Sequence, residues 1–256
     1  MEFQLVFVLI GTTHTGNIGA AARAIKNMGF SELRLVDCCS HLTKDAIARA
    51  SGADGVLKNA QRFDSLDVAV ADCNYVYGTS ARDRHLSVPV AQCREVAGDI
   101  ATVAHQSGQP LTVAMVFGRE RSGLSNEEMD RCTRLLRIPC NPDFSSLNLA
   151  AAVQVVAYEC ALALQNSAKV APVPENSVVD TNEESPASSE AMLHFYEHLN
   201  RVMVNTGFLD PDNPKQLSRR IKRYFERNRP SHNEINILRG ILSATERPHP
   251  PKKDPD

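Results

Sequence analysis

Residues 3–29 read FQLVFVLIGTTHTGNIGAAARAIKNMG, and they combine an apolar run, a glycine-containing loop and a helical pattern that ends at Gly29. The apolar run is typical of a buried strand, and a strand followed by a helix is the repeating unit of α/β domains. The glycines at positions 11, 16 and 19 indicate a backbone that comes close to another group. The stretch therefore predicts the start of an α/β domain and poses the question of what its loop approaches.

The same alternation of strand and helix continues through the first 165 residues. Further strands are predicted at LRLV (33–36), NYVYG (74–78), LTVAMVFG (111–118) and LLRIP (135–139). Helices are predicted at Asn17–Met28, Lys44–Ser51, Leu66–Ala71, Val90–Gln106 and Ser125–Cys132, with the longest helix starting at about Ser146. Ser125 and Glu128 form a capping-box pattern. The sequence therefore predicts an α/β fold with a mostly parallel sheet flanked by helices.

The C-terminal third differs in composition. Residues 167–189, SAKVAPVPENSVVDTNEESPASS, are polar, acidic and proline-containing, which is typical of a flexible linker. Three helical patterns follow: one over about 190–205, one with Pro214 at its first position, and one from Ser231, where Glu234 completes a capping box. We predict an α/β domain over residues 1–166, a linker over 167–189, a small all-α module over 190–247 and a disordered tail over 248–256.

Charge is distributed unevenly along the chain. Residues 1–166 contain 15 Lys and Arg against 17 Asp and Glu, whereas residues 190–253 contain 12 against 7. The positive excess predicts a polyanionic partner for the C-terminal module, with a merely solvated face as the alternative. The seven cysteines form no C-x-x-C pair, which argues against a disulfide framework or a zinc ribbon. No secretion signal is recognised, so we expect a reduced, cytoplasmic protein without a membrane partner.

The glycine-containing loop does not match the common nucleotide-binding patterns. A Rossmann loop requires G-x-G-x-x-G and a P-loop requires GK[ST], and the loop contains neither. What remains is N-x-G-x-x-A-R, from Asn17 to Arg23. Gly19 and Arg23 are four apart and share a helix face, which places the arginine near the strand ends where α/β sites lie. The alternative is that Gly16 and Gly19 only permit a tight turn and close helix packing.

Two later segments carry further motifs. VFGRERSGLSNEE (116–128) follows a predicted strand, and RIPCNPDFSSLNLAAAVQVVAYE (137–159) joins a strand end to the longest helix. Together with the loop motif, the patterns FGxExxGL and IPxxxxxSSLNLAxAVxxxxYE resemble the three motifs of the SPOUT-class, SpoU/TrmH-type RNA 2′-O-ribose methyltransferases. GTSARDR (78–84) and INILRGIL (235–242) resemble the TrmJ branch of that class. The resemblance covers nearly the whole chain except the linker and the tail.

The resemblance implies a fold, a reaction and partners. It implies a C-terminal trefoil knot in the sheet domain, a homodimer, and an S-adenosylmethionine pocket built by the knotted loops, with S-adenosylhomocysteine as the product. The implied substrate is tRNA, methylated at the ribose 2′-oxygen of a pyrimidine, C or U, at position 32 of the anticodon loop. No metal is expected, because the sulfonium leaving group is already activated. Carried over by motif, the cofactor pocket comprises Thr79, Ser80, Ala81, Gly118, Ile138, Ser145, Ser146 and Leu147.

The resemblance also implies catalytic roles for Arg23, Asn17, Glu120, Ser146 and Asn148. An arginine stays protonated far above neutral pH, so Arg23 suits the binding of a phosphate or of the target hydroxyl better than the removal of a proton. We expect Glu120 to fix this arginine, and Asn17 and Asn148 to orient it. Helix capping and loop hydrogen bonds are the alternative for Glu120 and Asn148.

Basic residues next to the motifs and in the C-terminal module are candidates for RNA contact. Beside the motifs these are Arg82, Arg84, Arg119 and Arg121. In KQLSRRIKRYFERNR (215–229) they are Arg219, Arg220, Lys222, Arg223 and Arg227. Leu217, Ile221 and the pair Tyr224–Phe225 recur at helical spacing in this segment and predict its packing face. The module is therefore expected to hold tRNA through its basic face.

HFYEH (194–198) matches the H-x-x-E-H pattern of inverted zincins. Zinc catalysis also needs a third ligand and a substrate cleft, so we expect only two histidines on one helix face. Two other functions compete with methyl transfer: a nicotinamide-dependent Rossmann enzyme, disfavoured by the glycine spacing, and an RNA-binding module that kept the fold without the activity. Cofactor binding separates the first from our prediction, and turnover separates the second.

Overall fold

The computed structural model describes residues 3–80, 88–106, 109–167, 185–228 and 230–247. The chain divides into two compact units, Met1–Thr181 and Asn182–Asp256. Most of the predicted linker and the whole predicted tail lie outside the described residues, so the predicted division into domain, linker, module and tail stays a prediction.

A parallel sheet forms the centre of the first unit. Over the described residues its strands are β1 (Phe3–Ile10), β2 (Glu32–Val36), β3 (Gln61–Phe63), β4 (Tyr75–Thr79), β5 (Val90–Gln92), β6 (Leu111–Phe117) and β7 (Arg134–Arg137). Their order across the sheet is β3-β2-β1-β6-β4-β7-β5, and each of these pairs is parallel. The predicted α/β class with a mostly parallel sheet is confirmed. The trefoil knot stays a prediction, because the connection from β4 to β5 includes residues 81–87, which lie outside the described residues.

Helices cover both faces of this sheet. The larger core lies under α1 (Thr15–Asn27), α2 (Lys44–Ala50), α3 (Asp54–Lys58), α5 (Cys93–Gln106) and α7 (Leu149–Ser167). The smaller core lies under α4 (Leu66–Ala69) and α6 (Asn126–Asp130).

The two-sided cover explains the apolar run over residues 5–10 of β1. Leu5, Phe7 and Leu9 pack into the larger core, and Val6 and Val8 pack into the smaller one. Successive side chains of a strand point to opposite faces of the sheet. A strand segment that is covered on both faces is therefore expected to be apolar at every position, as residues 5–10 of β1 are.

The predicted helix over Val90–Gln106 is wrong at its start. Val90–Gln92 forms the short strand β5, which pairs with β7 at the edge of the sheet, and α5 begins only at Cys93. The strand β3 and the helix α3, of three and five residues, were not predicted, because neither is long enough to show a clear period.

The longest helix begins three residues later than predicted, at Leu149 rather than near Ser146. The reason is a side-chain cap. The Asn148 Oδ1 atom accepts hydrogen bonds from the N–H groups of Ala150 and Ala151, at 3.0 and 3.4 Å. These two groups have no carbonyl partner within the helix, so the cap fixes the helix start.

α7 is apolar on two faces. It has 19 residues, and it is long and apolar enough to cross a membrane by length and composition. Val153, Val156 and Cys160 are fully buried in the core of the unit, which accounts for one of these faces. On the other face, Tyr158 and Leu162 are 50% and 37% exposed.

The second unit is helical over its described residues. It contains α8 (Ser189–Asn205), α9 (Leu217–Asn228) and α10 (His232–Thr245). Met192, Phe195 and Ile235 form the centre of a small core between these helices.

The two predicted helix starts in this unit have different outcomes. The capping box of Ser231 and Glu234 is formed, with both reciprocal hydrogen bonds present, and that prediction is confirmed. The prediction for Pro214 is wrong, since α9 begins at Leu217, two residues after Lys215 adopts a left-handed backbone with φ of 48°.

The packing face of α9 also differs from the prediction. The Phe225 ring packs on Phe195 with centroids 4.8 Å apart, whereas Tyr224 is 56% exposed. Adjacent residues on a helix point about 100° apart, so only one of the two rings can face the core squarely. The assignment of Tyr224 to the packing face is therefore wrong.

Candidate active site

Three neighbouring strands, β6, β4 and β7, end at one edge of the sheet. Thr79 is the last residue of β4, Gly118 follows β6, and Ile138 follows β7. Because the strands are parallel, their carboxyl ends lie side by side, and α/β sheets place their sites at such an edge. Ser145 and Ser146, which precede α7, reach the same edge.

A cavity of about 220 Å³ lies at this edge. Seven of the eight residues predicted for the cofactor pocket line it, namely Thr79, Ser80, Gly118, Ile138, Ser145, Ser146 and Leu147. The eighth, Ala81, lies outside the described residues. The fold thus brings into one cavity residues that are spread over three separate motifs.

The cavity also has lining residues that were not among the predicted site residues. These include Phe117, Leu124, Met129, Leu136, Cys140, Leu149 and Ala152. The sequence could have indicated that Phe117 and Leu136 lie near the cavity, because both lie close to the ends of predicted strands. Nothing in the sequence relates Met129 to the cavity, because it reaches the site only through the packing of α6.

The loop after β6 folds back on itself. The Arg119 N–H donates to the Gly123 carbonyl oxygen at 3.1 Å, and the Gly123 N–H donates to the Arg119 carbonyl oxygen at 2.8 Å. A Cβ atom at Gly118 would lie 2.2 Å from the Gly123 carbonyl carbon, and Gly123 itself has a φ of 70°. The loop that lines the cavity therefore requires glycine at both positions.

An ion pair holds the side chain of Arg119. Its Nη1 atom lies 3.0 and 3.1 Å from the two carboxylate oxygens of Glu128. The same carboxylate accepts the Ser125 N–H at 2.7 Å, which completes the predicted capping box of α6. A Cβ atom at Gly11, whose φ is 58°, would lie 2.7 Å from the Arg119 Cγ atom. Gly11 therefore leaves room for Arg119 and adopts a backbone that other residues rarely take.

The other two glycines of the first loop approach protein atoms. A Cβ atom at Gly19 would lie 2.0 Å from the Ala46 carbonyl oxygen of α2, and one at Gly16 would lie 2.4 Å from the Arg49 Nε atom. The close contact between α1 and α2 accounts for Gly19, since the obstacle is backbone. The structure thus favours the packing interpretation of these glycines over a ligand-binding one.

Asn17, Glu120 and Asn148 form one chain of hydrogen bonds. The Asn17 Nδ2 atom donates to Glu120 Oε1 at 3.2 Å, and the Asn148 Nδ2 atom donates to Asn17 Oδ1 at 3.1 Å. Because Asn148 also caps α7, these hydrogen bonds connect the start of α1 to the loop after β6 and to the start of α7.

Glu120 is a carboxylate with a lowered pKa. Burial raises the pKa, but hydrogen bonds from its own N–H, from the Asn17 amide and from the N–H groups of Thr13 and His14 outweigh burial, so the pKa lies below its usual range. His14 precedes α1 and offers no side-chain cap. Glu120 therefore caps this helix end, where a negative charge is also favoured by the helix dipole. Glu120 and Asn148 thus make hydrogen bonds of the kind that the alternative described, helix capping and loop hydrogen bonds, and their catalytic roles stay a prediction.

Arg23 lies on the exposed side of α1. Its side chain makes no hydrogen bond or ion pair with any residue in the described part of the chain. The expected contact with Glu120 is not formed, because the carboxylate is engaged by Asn17 and by the backbone at the start of α1. The guanidinium group is therefore available to a ligand.

The candidates for RNA contact in the first unit are only partly described. Arg82 and Arg84 lie outside the described residues. Arg119 is paired with Glu128, and Arg121 is exposed and has a protein partner.

The candidates in the second unit all lie on α9. Arg219, Arg220, Arg223 and Arg227 are exposed. Lys222 is half-buried, with its Nζ atom 5.7 Å from the centroid of the Tyr196 ring. Four of the five predicted basic residues thus form a charged surface on this helix.

The two histidines of HFYEH lie on α8, and one of them is engaged. The His198 Nε2 atom lies 3.2 Å from Glu246 Oε2, and Arg201 Nε lies 3.1 Å from the other oxygen of that carboxylate. Among the described residues, no group of three His, Cys, Asp or Glu is arranged to hold a metal ion. His198 therefore serves to join α8 to the end of α10.

Comparison with known proteins connects this geometry to two family models. Residues 4–158 match the SpoU rRNA Methylase family, and residues 190–254 match the C-terminal domain of the tRNA methyltransferase TrmJ.

Similar proteins cover nearly the whole chain. The chain is 45% identical over 243 residues to the tRNA (cytidine/uridine/adenosine-2′-O-)-methyltransferase TrmJ of Pseudomonas aeruginosa, which covers 94% of this chain and 93% of that protein. It is 44% identical over 243 residues to the tRNA (cytidine/uridine-2′-O-)-methyltransferase TrmJ of Pectobacterium atrosepticum, with 94% and 96% covered. The crystal structure of TrmJ from Z. mobilis ZM4 matches with a TM-score of 0.76 and 32% identity, covering 94% of this chain and 99% of that chain.

Proposed function

The chain belongs to the SpoU methylase family and carries a TrmJ-type C-terminal domain, and on this basis we propose that it methylates tRNA at a ribose 2′-oxygen with S-adenosylmethionine as the methyl donor. The target is a pyrimidine, C or U, at position 32 of the anticodon loop. The names of the relatives from P. aeruginosa and P. atrosepticum support the tRNA substrate and the 2′-O chemistry. The position within the loop is an inference from the motifs.

The cavity suits this cofactor on chemical grounds. Its wall combines apolar side chains, such as Ile138 and Leu147, with the small residues Gly118, Ser145 and Ser146. An adenine ring needs an apolar slot, and its polar edge needs backbone donors and acceptors close by. When bound, S-adenosylmethionine supplies a methyl group that its sulfonium already activates. We propose that Thr79, Ser80, Ala81, Gly118, Ile138, Ser145, Ser146 and Leu147 bind it.

Arg23 is the residue proposed to hold the RNA at the reacting sugar. Its guanidinium is exposed and unpaired within the described part of the chain. A planar cation with several donors fits a phosphate or a ribose hydroxyl in two-point contact. Because an arginine stays protonated at neutral pH, its role is to orient the 2′-hydroxyl and not to remove the proton.

Asn17, Glu120 and Asn148 are proposed as positioning residues. Their hydrogen-bond chain fixes the start of α1, which carries Arg23, relative to the two loops that line the cavity. Ser146 lines the cavity two residues before Asn148. We assign it a hydrogen bond to the target hydroxyl in addition to its contact with the cofactor.

The assembly follows from the same family membership. The exposed apolar side of α7 is proposed as the contact between two copies of the chain, and the trefoil knot as the feature that shapes the cofactor loops. The exposed arginines of α9 are proposed to hold the tRNA backbone. We place the enzyme in the cytoplasm, where its substrate is.

One observation carries the proposal: seven residues chosen from sequence motifs line a single cavity, and Glu120 on its lining connects that cavity to Asn17 and Asn148. The test is transfer of labelled methyl from S-adenosylmethionine to unmodified tRNA and to the same tRNA with a 2′-deoxypyrimidine at position 32. Label in the first and none in the second is the expected result. Equal label in both would place the methyl group elsewhere and overturn the proposed position.

Further measurements address the competing functions and the identity of the target nucleobase. Calorimetric titration with S-adenosylmethionine and with NAD separates the methyltransferase from a nicotinamide enzyme, and we expect heat from the first only. Bound tRNA without any label would favour an inactive RNA-binding module. Because the P. aeruginosa relative also has adenosine in its name, tRNAs with C, U or A at position 32 are compared, and we expect label with C and U.

A further inference from the structure

Tyr224 is a large aromatic residue at the surface of a strongly basic helix. It is 56% exposed, although α9 has only one acidic residue, Glu226, against four arginines and one lysine. Glu226 is already engaged, since it accepts the hydroxyl of Tyr196 at 3.1 Å. The surface around Tyr224 is therefore both aromatic and positively charged.

The neighbouring residue holds the Tyr224 ring in place. The rings of Tyr224 and Phe225 are 5.4 Å apart at an angle of 83°. Phe225 is itself anchored edge-on against Phe195, which is 1% exposed. Edge-to-face contacts of this kind are favourable, and this one orients the Tyr224 ring while leaving more than half of the residue uncovered.

Arginines flank the exposed ring along the helix. Arg220 lies four residues before Tyr224 and Arg227 lies three residues after it, so both share its side of the helix. Arg223 is adjacent in sequence. In the part of the chain that the structure describes, the side chains of these three arginines form no hydrogen bond or ion pair. Their charges are available to a ligand on either side of the ring.

We propose that Tyr224 stacks on an unpaired RNA base while Arg220 and Arg227 hold the phosphates on either side of that base. The proposal rests on the proposed function in taking tRNA as the natural ligand. Bases in single-stranded loops can be splayed out and stacked on aromatic rings, whereas bases in a duplex are covered by their neighbours. A ring between cations matches this ligand, because successive nucleotides alternate a flat base with an anionic phosphate. The module thus recognises unpaired RNA and not negative charge alone.

The chain contains no tryptophan, which allows a direct test. Tyr224→Trp in the full chain creates one fluorophore at the proposed stacking position. Titration with a single-stranded oligouridine RNA is expected to quench its fluorescence strongly, and the same length of abasic ribose-phosphate backbone is expected to quench it little. Phe208→Trp, at a position that is 68% exposed in the same unit but outside α9, serves as the reference. Equal quenching by the two probes, or no quenching of the Tyr224→Trp variant, would overturn the proposal.

Affinity provides a second, independent readout. Tyr224→Ala is expected to weaken binding of tRNA by about 5- to 150-fold, the range of one base–aromatic stack, while Tyr224→Phe keeps the affinity. Phe208→Ala, the matched control, should leave it unchanged. If Tyr224→Ala weakens the abasic backbone as much as base-bearing RNA, the residue acts through structure and the stacking proposal is wrong.

Failure of this inference and failure of the proposed function are distinguishable. Quenching by unpaired RNA without any methyl transfer would support stacking while rejecting the enzyme activity. Methyl transfer to tRNA by a Tyr224→Trp variant whose fluorescence is not quenched would leave the activity standing and reject the stacking surface.

Discussion

The side-chain amide of Asn148 donates a hydrogen bond to the Asn17 Oδ1 atom at 3.1 Å, across 131 positions of sequence. The same Asn17 side chain donates its own N–H to Glu120 at 3.2 Å. An amide that must accept at one end and donate at the other has only one productive orientation. The carboxylate of Glu120 sets that orientation, because it can only accept.

Replacing this carboxylate is expected to lower stability in a pH-dependent way. Glu120→Gln removes an ionised acceptor that takes several N–H groups, so we expect a loss of about 1.5–3 kcal/mol at pH 7. The folded-state pKa of Glu120 lies below its usual range. The contribution of the Glu120 charge to the free energy of unfolding is therefore complete above the pKa of the unfolded state. It is lost as the pH falls through the lower pKa of the folded state. Urea unfolding at pH 7 and at progressively lower pH should show the difference between variant and parent shrinking towards acid.

The control for this measurement is Glu127→Gln, at an exposed position on α6. It changes the net charge equally and is expected to cost less than about 0.5 kcal/mol at every pH. A Glu120→Gln effect that stayed constant from neutral to acid pH would contradict the role of the charge.

Substitution by alanine is predicted to weaken cofactor binding at Gly118, in the loop after β6, but not at Gly98, on α5. Gly118→Ala places a Cβ atom 2.2 Å from the Gly123 backbone, so the loop must move, and we expect S-adenosylmethionine to bind about tenfold or more weakly, ~1.4 kcal/mol. Gly98→Ala adds the same methyl group to α5, where nothing lies within 4 Å of it. That variant should bind the cofactor normally and gain up to about 1 kcal/mol in stability. Titration calorimetry and thermal unfolding check both, and equal cofactor affinity in the two variants would refute the loop argument.

Much of the cavity could be predicted from sequence, for a physical reason. The motif residues Thr79, Gly118 and Ile138 all follow apolar strands, and parallel strands end at a common edge, so their proximity follows once the strands are recognised. The partner of Glu120 could not be predicted, since Asn17 and Arg23 both lie on α1. The choice between them depends on the direction from which the loop after β6 approaches that helix.

The adjacent rings of Tyr224 and Phe225 show the same limit in the second unit. Helical spacing places both near one face, but it does not state which ring meets the core. Phe195, on another helix, decides in favour of Phe225. Val90–Gln92 escaped prediction for a different reason, because this strand of three residues runs directly into a helix with no intervening turn residue.

Arg23 is predicted to affect activity without affecting stability. Its side chain is exposed and unpaired within the described residues, so Arg23→Ala should change the free energy of unfolding by less than about 0.5 kcal/mol. Loss of substrate orientation should nevertheless lower kcat/KM for tRNA by about 100-fold. Arg23→Lys keeps the charge but not the two-point geometry and should recover little of the loss.

Arg49→Ala is the matched control. Arg49 is an exposed arginine of α2, and its ion pair with Asp45 lies at the surface, where such pairs contribute little to stability. It should retain nearly full activity. An Arg23→Lys variant with most of the parent's kcat/KM would show that charge alone suffices and that the planar guanidinium has no special role.

The exposed apolar side of α7 predicts that two copies of the chain associate through this helix. Tyr158 and Leu162 lie four apart on that side and are 50% and 37% exposed, and an apolar stripe of this kind marks an interaction surface. Leu162→Glu places a charge there without touching the buried face, so we expect it to weaken the dimer by at least about tenfold, ~1.4 kcal/mol. Sedimentation velocity over a range of concentrations measures the change.

Val68→Glu, at a residue of α4 that is 60% exposed, introduces the same charge elsewhere and should leave association unchanged. A parent protein that stays monomeric at high concentration, or a Leu162→Glu variant that dimerises like the parent, would remove α7 as the contact.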